Sequence, residues 1–169
     1  MIKFNVASIN KCTEVEGPFK RLCIWFQGCN IHCNGCCNPD YQQLVPKNLM
    51  LLDEIISIIK EAQKEFGIEG VTFSGGEPSL QQNLPILTRK IKELGLGVIS
   101  FTGHIYEEVK ESFVGCDVVL DGAYKEHERE TKRRLLGSTN QRIICLTERY
   151  SCLLYTSPSP RASCASRMP

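Results

Sequence analysis

Apolar residues recur along the chain in short runs separated by amphipathic stretches, a pattern that predicts strands alternating with helices. Leu22 to Phe26, read Leu-Cys-Ile-Trp-Phe, is a continuous apolar run of strand length that ends at a cysteine-rich loop. Leu51 to Phe66 predicts the clearest helix: Leu52, Ile55, Ile56, Ile59, Ala62 and Phe66 recur at helical spacing, and Gly67 follows as a stop. Val71-Thr72-Phe73 predicts a short strand entering Ser74-Gly75-Gly76-Glu77-Pro78. A second helix is predicted from about Pro85 to Leu94, with Pro85 suited to the first turn and Gly95 to the end. Gly97 to Phe101 reads as a strand into Thr102-Gly103, Tyr106 to Ser112 as a short helix, Val118 to Leu120 as a strand into Asp121-Gly122, and Arg142 to Leu146 as a last strand. Strands separated by helical stretches imply mostly parallel pairing and an α/β fold. Such sheets carry their functional loops at the carboxyl ends of the strands. The cysteine loop, the Gly-Gly-Glu loop, Thr102-Gly103 and Asp121-Gly122 are therefore expected on one rim.

Composition narrows the function classes. The 169 residues suffice for one domain with a core, while a closed eight-fold α/β barrel needs about 250. Lys+Arg number 20 against 19 Asp+Glu, which leaves no electrostatic footprint for nucleic acid. No apolar run is long enough to span a bilayer and the N-terminus lacks a secretory pattern, so the expected location is the cytoplasm, away from membranes. Between Ala123 and Asn140 the charges are mixed (Lys125, Glu126, His127, Glu128, Arg129, Glu130, Lys132, Arg133, Arg134), which reads first as a solvated face, with a partner-docking surface as the alternative. From Ser151 the composition changes and periodicity ends. The run Cys152 to Arg161 resembles the translation of a sequencing adapter. The expectation is a core domain over residues 1–150, a non-native, disordered tail over 151–169, and a natural chain that diverges near Tyr150. The tail holds Arg161 and Arg167 and no acid, so residues 1–150 alone have net charge −1.

Ten cysteines is a high count for a reducing compartment, where it points to metal or catalysis rather than disulfides. Cys12, Cys23, Cys116 and Cys145 are isolated and read as small buried apolar residues. Cys29, Cys33, Cys36 and Cys37 crowd into nine residues, the first three in the spacing Cys-x3-Cys-x2-Cys. Three readings compete: a zinc site closed by all four, an electron-carrying cluster with a fourth ligand elsewhere, and a four-iron cluster that keeps one iron open for a ligand. Adjacent Cys36 and Cys37 cannot easily both meet one tetrahedral ion. A four-iron cubane normally takes four thiolates, so a triplet leaves a vacancy where chemistry can occur. In Ser74-Gly75-Gly76-Glu77-Pro78 the glycines allow close approach of backbone to a ligand, and the carboxylate can accept from an ammonium group.

Together the two motifs resemble the radical S-adenosylmethionine (radical SAM) superfamily. More narrowly, nearly all of residues 1–150 resemble the activating enzymes of anaerobic ribonucleotide reductases, on Glu16-Gly17-Pro18, Gln27-Gly28-Cys29, Phe73 to Pro78, Thr102-Gly103, Leu120-Asp121-Gly122 and Gly137-Ser138-Thr139-Asn140-Gln141-Arg142. The resemblance implies a partial, open (β/α) barrel and a [4Fe–4S] cluster on Cys29, Cys33 and Cys36. It implies SAM chelating the open iron, with contacts from Gly35, Cys36, Cys37, Ser74, Gly75, Gly76 and Glu77. Thr102 and Asp121 lie on rim loops and either contact SAM or cap strand ends. Reductive cleavage of SAM then yields a 5′-deoxyadenosyl radical that takes hydrogen from a glycine of a large reductase partner. A flavodoxin or ferredoxin would donate the electron. Gly35 stands where most of the superfamily has an aromatic, Cys37 where relatives often have an aromatic or His, and Phe19-Lys20-Arg21 lacks a glycine common in relatives. The alternatives are an activase for another glycyl-radical enzyme such as a formate-lyase type, a small-molecule radical SAM enzyme such as a deazapurine synthase, and a non-catalytic iron–sulfur or zinc module.

Overall fold

The computed structural model describes residues 1–154; the expectation for the tail beyond them lies outside the described residues. Alternating side chains on extended segments build one seven-stranded open sheet in the order β3-β1-β2-β4-β5-β6-β7. Its strands are β1 (Lys3–Thr13), β2 (Arg21–Phe26), β3 (Asn48–Leu51), β4 (Gly70–Gly75), β5 (Gly97–Phe101), β6 (Val118–Asp121) and β7 (Arg142–Cys145). The central strands β2, β4, β5 and β6 pair in parallel. Antiparallel pairs join β1 to β2, β3 to β1 and β7 to β6. All strands except β1 and β7 therefore point the same way.

Helices α1 (Leu52–Phe66) and α2 (Leu84–Glu93) cover one face. Helix α1 starts where the Glu54 carboxylate accepts the Leu51 N–H at 2.6 Å, and it ends at Gly67, whose φ of 65° only glycine adopts freely. Its Ile55, Ile59 and Ala62 join Leu84, Leu87 and Ile91 of α2 against Leu22, Ile24, Phe26, Val71 and Phe73 of the sheet. The intervening strand positions face the other way. There Ile99, Val118, Leu120, Leu136 and Tyr150 make a smaller cluster, and much of that face is left open. Burial of the helical face is the main stabilising term, at roughly 25 cal/mol per Å² of apolar surface.

Several sequence expectations need correction. Strands β1 and β3 were not anticipated. In β1, Phe4 and Val6 alternate with Lys3 and Asn5, but the alternation breaks at a register shift between Val6 and Ser8, which hides its length. The stretch from Tyr106 is a single α-turn, α3 (Tyr106–Val109), followed by a 3-10 turn over Lys110–Phe113. Strand β7 is antiparallel to β6, because residues 122–141 return the chain to the rim end of the sheet, where Arg142 pairs with Asp121. Cys23 and Cys116 are buried as expected, whereas Cys12 and Cys145 are only partly so. Ser151–Leu154, assigned to the tail, forms a helical turn, α4, after a buried Tyr150, and Leu154 packs on the smaller cluster.

The sheet end opposite the functional rim is tied by Arg21, which is 0% exposed. Its guanidinium donates to Thr72 Oγ1 at 2.8 Å, Tyr150 Oη at 2.9 Å, the Val71 carbonyl at 2.9 Å and Glu69 Oε2 at 3.2 Å. Gly97 leaves the room: a β-carbon there would stand 1.9 Å from the Tyr150 hydroxyl. A buried guanidinium is tolerated when its donors are met, and truncation leaves a void and removes the donor that Thr72 Oγ1, Tyr150 Oη and the Val71 carbonyl share, while Glu69 keeps Arg149. Arg21→Ala is expected to lower the unfolding free energy by about 3 kcal/mol, read from urea denaturation. A loss below about 1 kcal/mol would show that the network is not structural.

A second tie is Asp117. Burial alone would raise its carboxyl pKa, but the Lys92 ammonium, the Val98 N–H and the Thr147 hydroxyl outweigh that and hold it below the usual range. A depressed carboxyl stabilises the fold fully above its unfolded pKa of about 4, and this contribution fades as pH falls toward the folded value. The stability gap between the parent chain and Asp117→Asn is therefore expected to be widest at neutral pH and to shrink on acidification below about pH 4. A gap independent of pH would contradict the assignment.

Candidate cluster and cofactor site

The parallel register of β2 and β4 brings the two motifs together. Phe26 pairs with Gly75, so the loops that follow leave the sheet side by side. The Gly76 N–H donates to the Phe26 carbonyl at 2.9 Å and the Glu77 N–H to the Gly28 carbonyl at 2.8 Å. Both glycines are demanded by this approach. Gly75 has φ +105°, and a β-carbon on it would lie 2.4 Å from the Phe26 nitrogen. One on Gly76 would lie 2.1 Å from the Gly28 carbonyl oxygen. The expectation was that the glycines admit a ligand; the backbone they admit here is that of the cysteine loop.

The cysteine loop closes on itself at its neck, where the Gly28 and Cys29 N–H groups donate to the Tyr41 and Gln42 carbonyls at 2.8 and 2.9 Å. Between them Cys29, Cys33 and Cys36 are half-buried and line one cavity of about 1140 Å³. Its other walls include Ser74, Gly75, Gly76 and Glu77, together with Thr102 and Gly103. Burial pushes the Cys33 thiol up, the Tyr124 N–H facing it pulls down, and the neighbouring Cys29 and Cys36 push up again. Two further N–H groups point at sulfur, Ile31 to Cys29 at 3.5 Å and Asn38 to Cys36 at 3.4 Å. Among the described residues no group of three His, Cys, Asp or Glu side chains is gathered tightly enough for a single metal ion. Three thiols on one cavity wall are the soft donor set that an iron–sulfur cluster takes. Cys37 is exposed at the cavity edge.

Glu77 behaves differently from its sequence expectation. It is 1% exposed, and its carboxylate accepts from Thr102 Oγ1 at 2.8 Å, Gly103 N–H at 2.9 Å and Ser79 N–H at 3.0 Å. Those donors occupy it, so the side chain joins the loop after β4 to the loop after β5. What this stretch can turn toward a ligand is glycine main chain. The Thr102 hydroxyl is likewise engaged, donating to Glu77 and accepting the His104 N–H at 3.1 Å. Asp121 does not line the cavity: its buried carboxylate accepts the Tyr106 N–H at 2.7 Å and pairs with Arg142, the strand-end capping role.

The sequence reading missed the cavity's far wall. The charged stretch from Ala123 to Asn140, expected first as a solvated face, folds over the rim with its flanking residues, and Tyr124, Glu126, Arg129, Leu135 and Gln141 line the cavity. Gln141 pins this clasp: its Oε1 accepts the Gly137 and Ser138 N–H groups at 2.8 and 3.1 Å, and its Nε2 donates to the Gly122 carbonyl at 2.8 Å. The Glu130 carboxyl is held down at about 2 by the Lys132 N–H and the Arg133 guanidinium, which fixes the turn between the clasp's two arms. The only sequence signal was the Gly137-to-Arg142 motif, whose function lies in this pinning. Gly35 has φ +71°, and where a side chain would stand the structure places Glu126. Trp25 and Asn10, on the open sheet face, complete the wall and carried no signal.

An open α/β sheet with a three-cysteine loop at its rim defines the class, and the chain belongs to the 4Fe-4S single cluster domain family, whose profile matches residues 15–144. It is similar to the anaerobic ribonucleoside-triphosphate reductase-activating protein of Enterobacteria phage T4, at 29% identity over 155 residues, covering 85% of this chain and 96% of that one. It is also similar to the pyruvate formate-lyase-activating enzyme of Clostridium pasteurianum, at 32% identity over 124 residues, and spans 71% of itself but only 52% of that relative. The enzyme of that name from Staphylococcus aureus (strain COL) is 35% identical over 165 residues, with 89% of this chain and 64% of that one covered. Among solved structures, QueE from Escherichia coli shares the fold, with a TM-score of 0.51 and 18% identity over 60% of this chain and 53% of that one.

If Glu77 is a strut, Glu77→Gln is expected to cost about 2 kcal/mol of stability, because its amide would face N–H donors it cannot accept. Gly76→Ala should go further and part the two loops, seen as loss of iron uptake on anaerobic reconstitution. Unchanged iron content in Gly76→Ala would contradict the stitch.

Proposed function

We propose that this chain is a radical SAM activating enzyme that generates a glycyl radical on an anaerobic ribonucleotide reductase. The observation that supports it most is the convergence of Cys29, Cys33 and Cys36 with Gly75 and Gly76 on one cavity, held by main-chain bonds between the two loops. Similarity to the phage activating protein over 96% of its length favours the reductase over a formate-lyase as partner, since the formate-lyase activases are matched over only 52% and 64% of theirs.

In this reading Cys29, Cys33 and Cys36 would hold a [4Fe–4S] cluster, with SAM beside it against Gly75 and Gly76. When bound, the two would supply the reductive carbon–sulfur cleavage and the hydrogen abstraction from the partner's glycine. The chain's own residues do the rest. Main chain at Gly75 and Gly76 lines the cavity beside the cluster loop, and Glu77 keeps Thr102 and Gly103 against that wall. The clasp covers one side and limits water around a reactive species. The open sheet face leaves a way in for a loop of the partner, and a small electron carrier such as flavodoxin or ferredoxin would deliver the electron.

Anaerobic reconstitution should load about four irons per chain and give a reduced-state EPR signal that changes when SAM is added. Cys33→Ala should abolish both. Mixing with the reductase and SAM should produce a glycyl-radical doublet. A doublet seen only with a formate-lyase would transfer the activity to that partner, and a signal indifferent to SAM would sink the catalytic reading.

A further inference from the structure

We propose that Glu126 sets the reduction potential of the cluster held by Cys29, Cys33 and Cys36, an inference that rests on the cluster assignment above. Glu126 opens a one-turn 3-10 segment, Glu126–Glu128, on the first arm of the clasp. A β-carbon on Gly35 would fall 2.9 Å from Glu126 Cδ and 3.0 Å from its Oε1. The carboxylate therefore rests on the main chain between two cluster ligands, Cys33 and Cys36. It lines the main cavity, and also a smaller recess of about 480 Å³ shared with His32 and Asn34 of the same loop. Among the described residues no ion pair neutralises it: Lys125 is joined to Glu128 at 3.2 Å and Arg133 to Glu130 at 2.6 Å, while Arg129 lines the cavity without pairing to it.

A negative charge opposes the arrival of an electron nearby, and because Glu126 is exposed, solvent screening keeps that opposition modest. Cluster potentials respond to local charge in this way. The step concerned is a one-electron reduction of the oxidised cluster by an external donor, with no bond made or broken in the protein. A more negative cluster is the stronger reductant, which suits transfer to a sulfonium. Glycine at position 35 belongs to the same device, because any side chain there would displace the carboxylate from the loop. Glu126 is thus a positioning residue of electrostatic kind and makes no claim on substrate.

The test compares the full chain with E126Q, E126D and E128Q, each reconstituted anaerobically and titrated with EPR detection. E126Q should shift the midpoint to more positive potential, and E126D, which keeps the charge but draws it back, should shift it less. E128Q loses the same formal charge from a carboxylate that does not line the cavity, and should stay at the parent value. Equal midpoints in all four proteins overturn the proposal. So does a shift in E128Q as large as that in E126Q, which would report net charge and not position. A parent chain that takes up no four-iron cluster overturns the cluster reading and this one with it, and iron content distinguishes that failure before any titration.

Discussion

The main-chain contact between the loops after β2 and β4 is the constraint on which the rest of the site depends. Parallel pairing from Arg21–Gly70 to Phe26–Gly75 sends both loops off the sheet at the same height. The Gly76 and Glu77 N–H groups then bond the carbonyls of Phe26 and Gly28. Backbones this close exclude every side chain, so the two glycines are a packing requirement before they are a binding one. Because the joint is made of main-chain hydrogen bonds, the cysteine loop is anchored at its first residue and again at the Tyr41–Gln42 neck, and its ligands vary in position only between those anchors.

Around that joint the protein spends its polar groups on rigidity. Glu77 takes donors from Ser79, Thr102 and Gly103 and so couples the second parallel loop to the third. Asp121 does the corresponding work at the fourth, accepting the Tyr106 N–H and pairing with Arg142. At the other end of the sheet Arg21 gathers Thr72, Glu69, Val71 and Tyr150. Each buried charge has its partners, the condition under which such groups are tolerated. A rim built in this way meets the requirement that a reactive site be held by supports that do not themselves move.

The clasp gives the site its asymmetry. The long helices cover one face of the sheet; on the opposite face Tyr150 and Leu154 cover the base, and the rim end would be open without residues 122–141. Pinned by Gln141, they close one side and leave the other free. That geometry separates two tasks: an enclosed end for the cluster and its small ligand, and an open flank for a partner protein's segment.

By itself the sequence determined the α/β character, α1, α2 and the central strands to within a residue or two. It also identified the three-cysteine and Gly-Gly-Glu motifs, because periodicity, glycine stops and ligand spacing are local properties written in consecutive residues. Strands β1 and β3 escaped because a bulge interrupts the alternation of one and the other is a short edge strand. Only the tertiary structure decided that Glu77 and Thr102 turn to each other, that Asp121 turns away, and that the charged segment 122–141 is a wall. These outcomes depend on which donors from distant loops arrive within hydrogen-bond distance, and a carboxylate's neighbours across twenty or more residues are set by strand register and loop closure, not by the residues beside it.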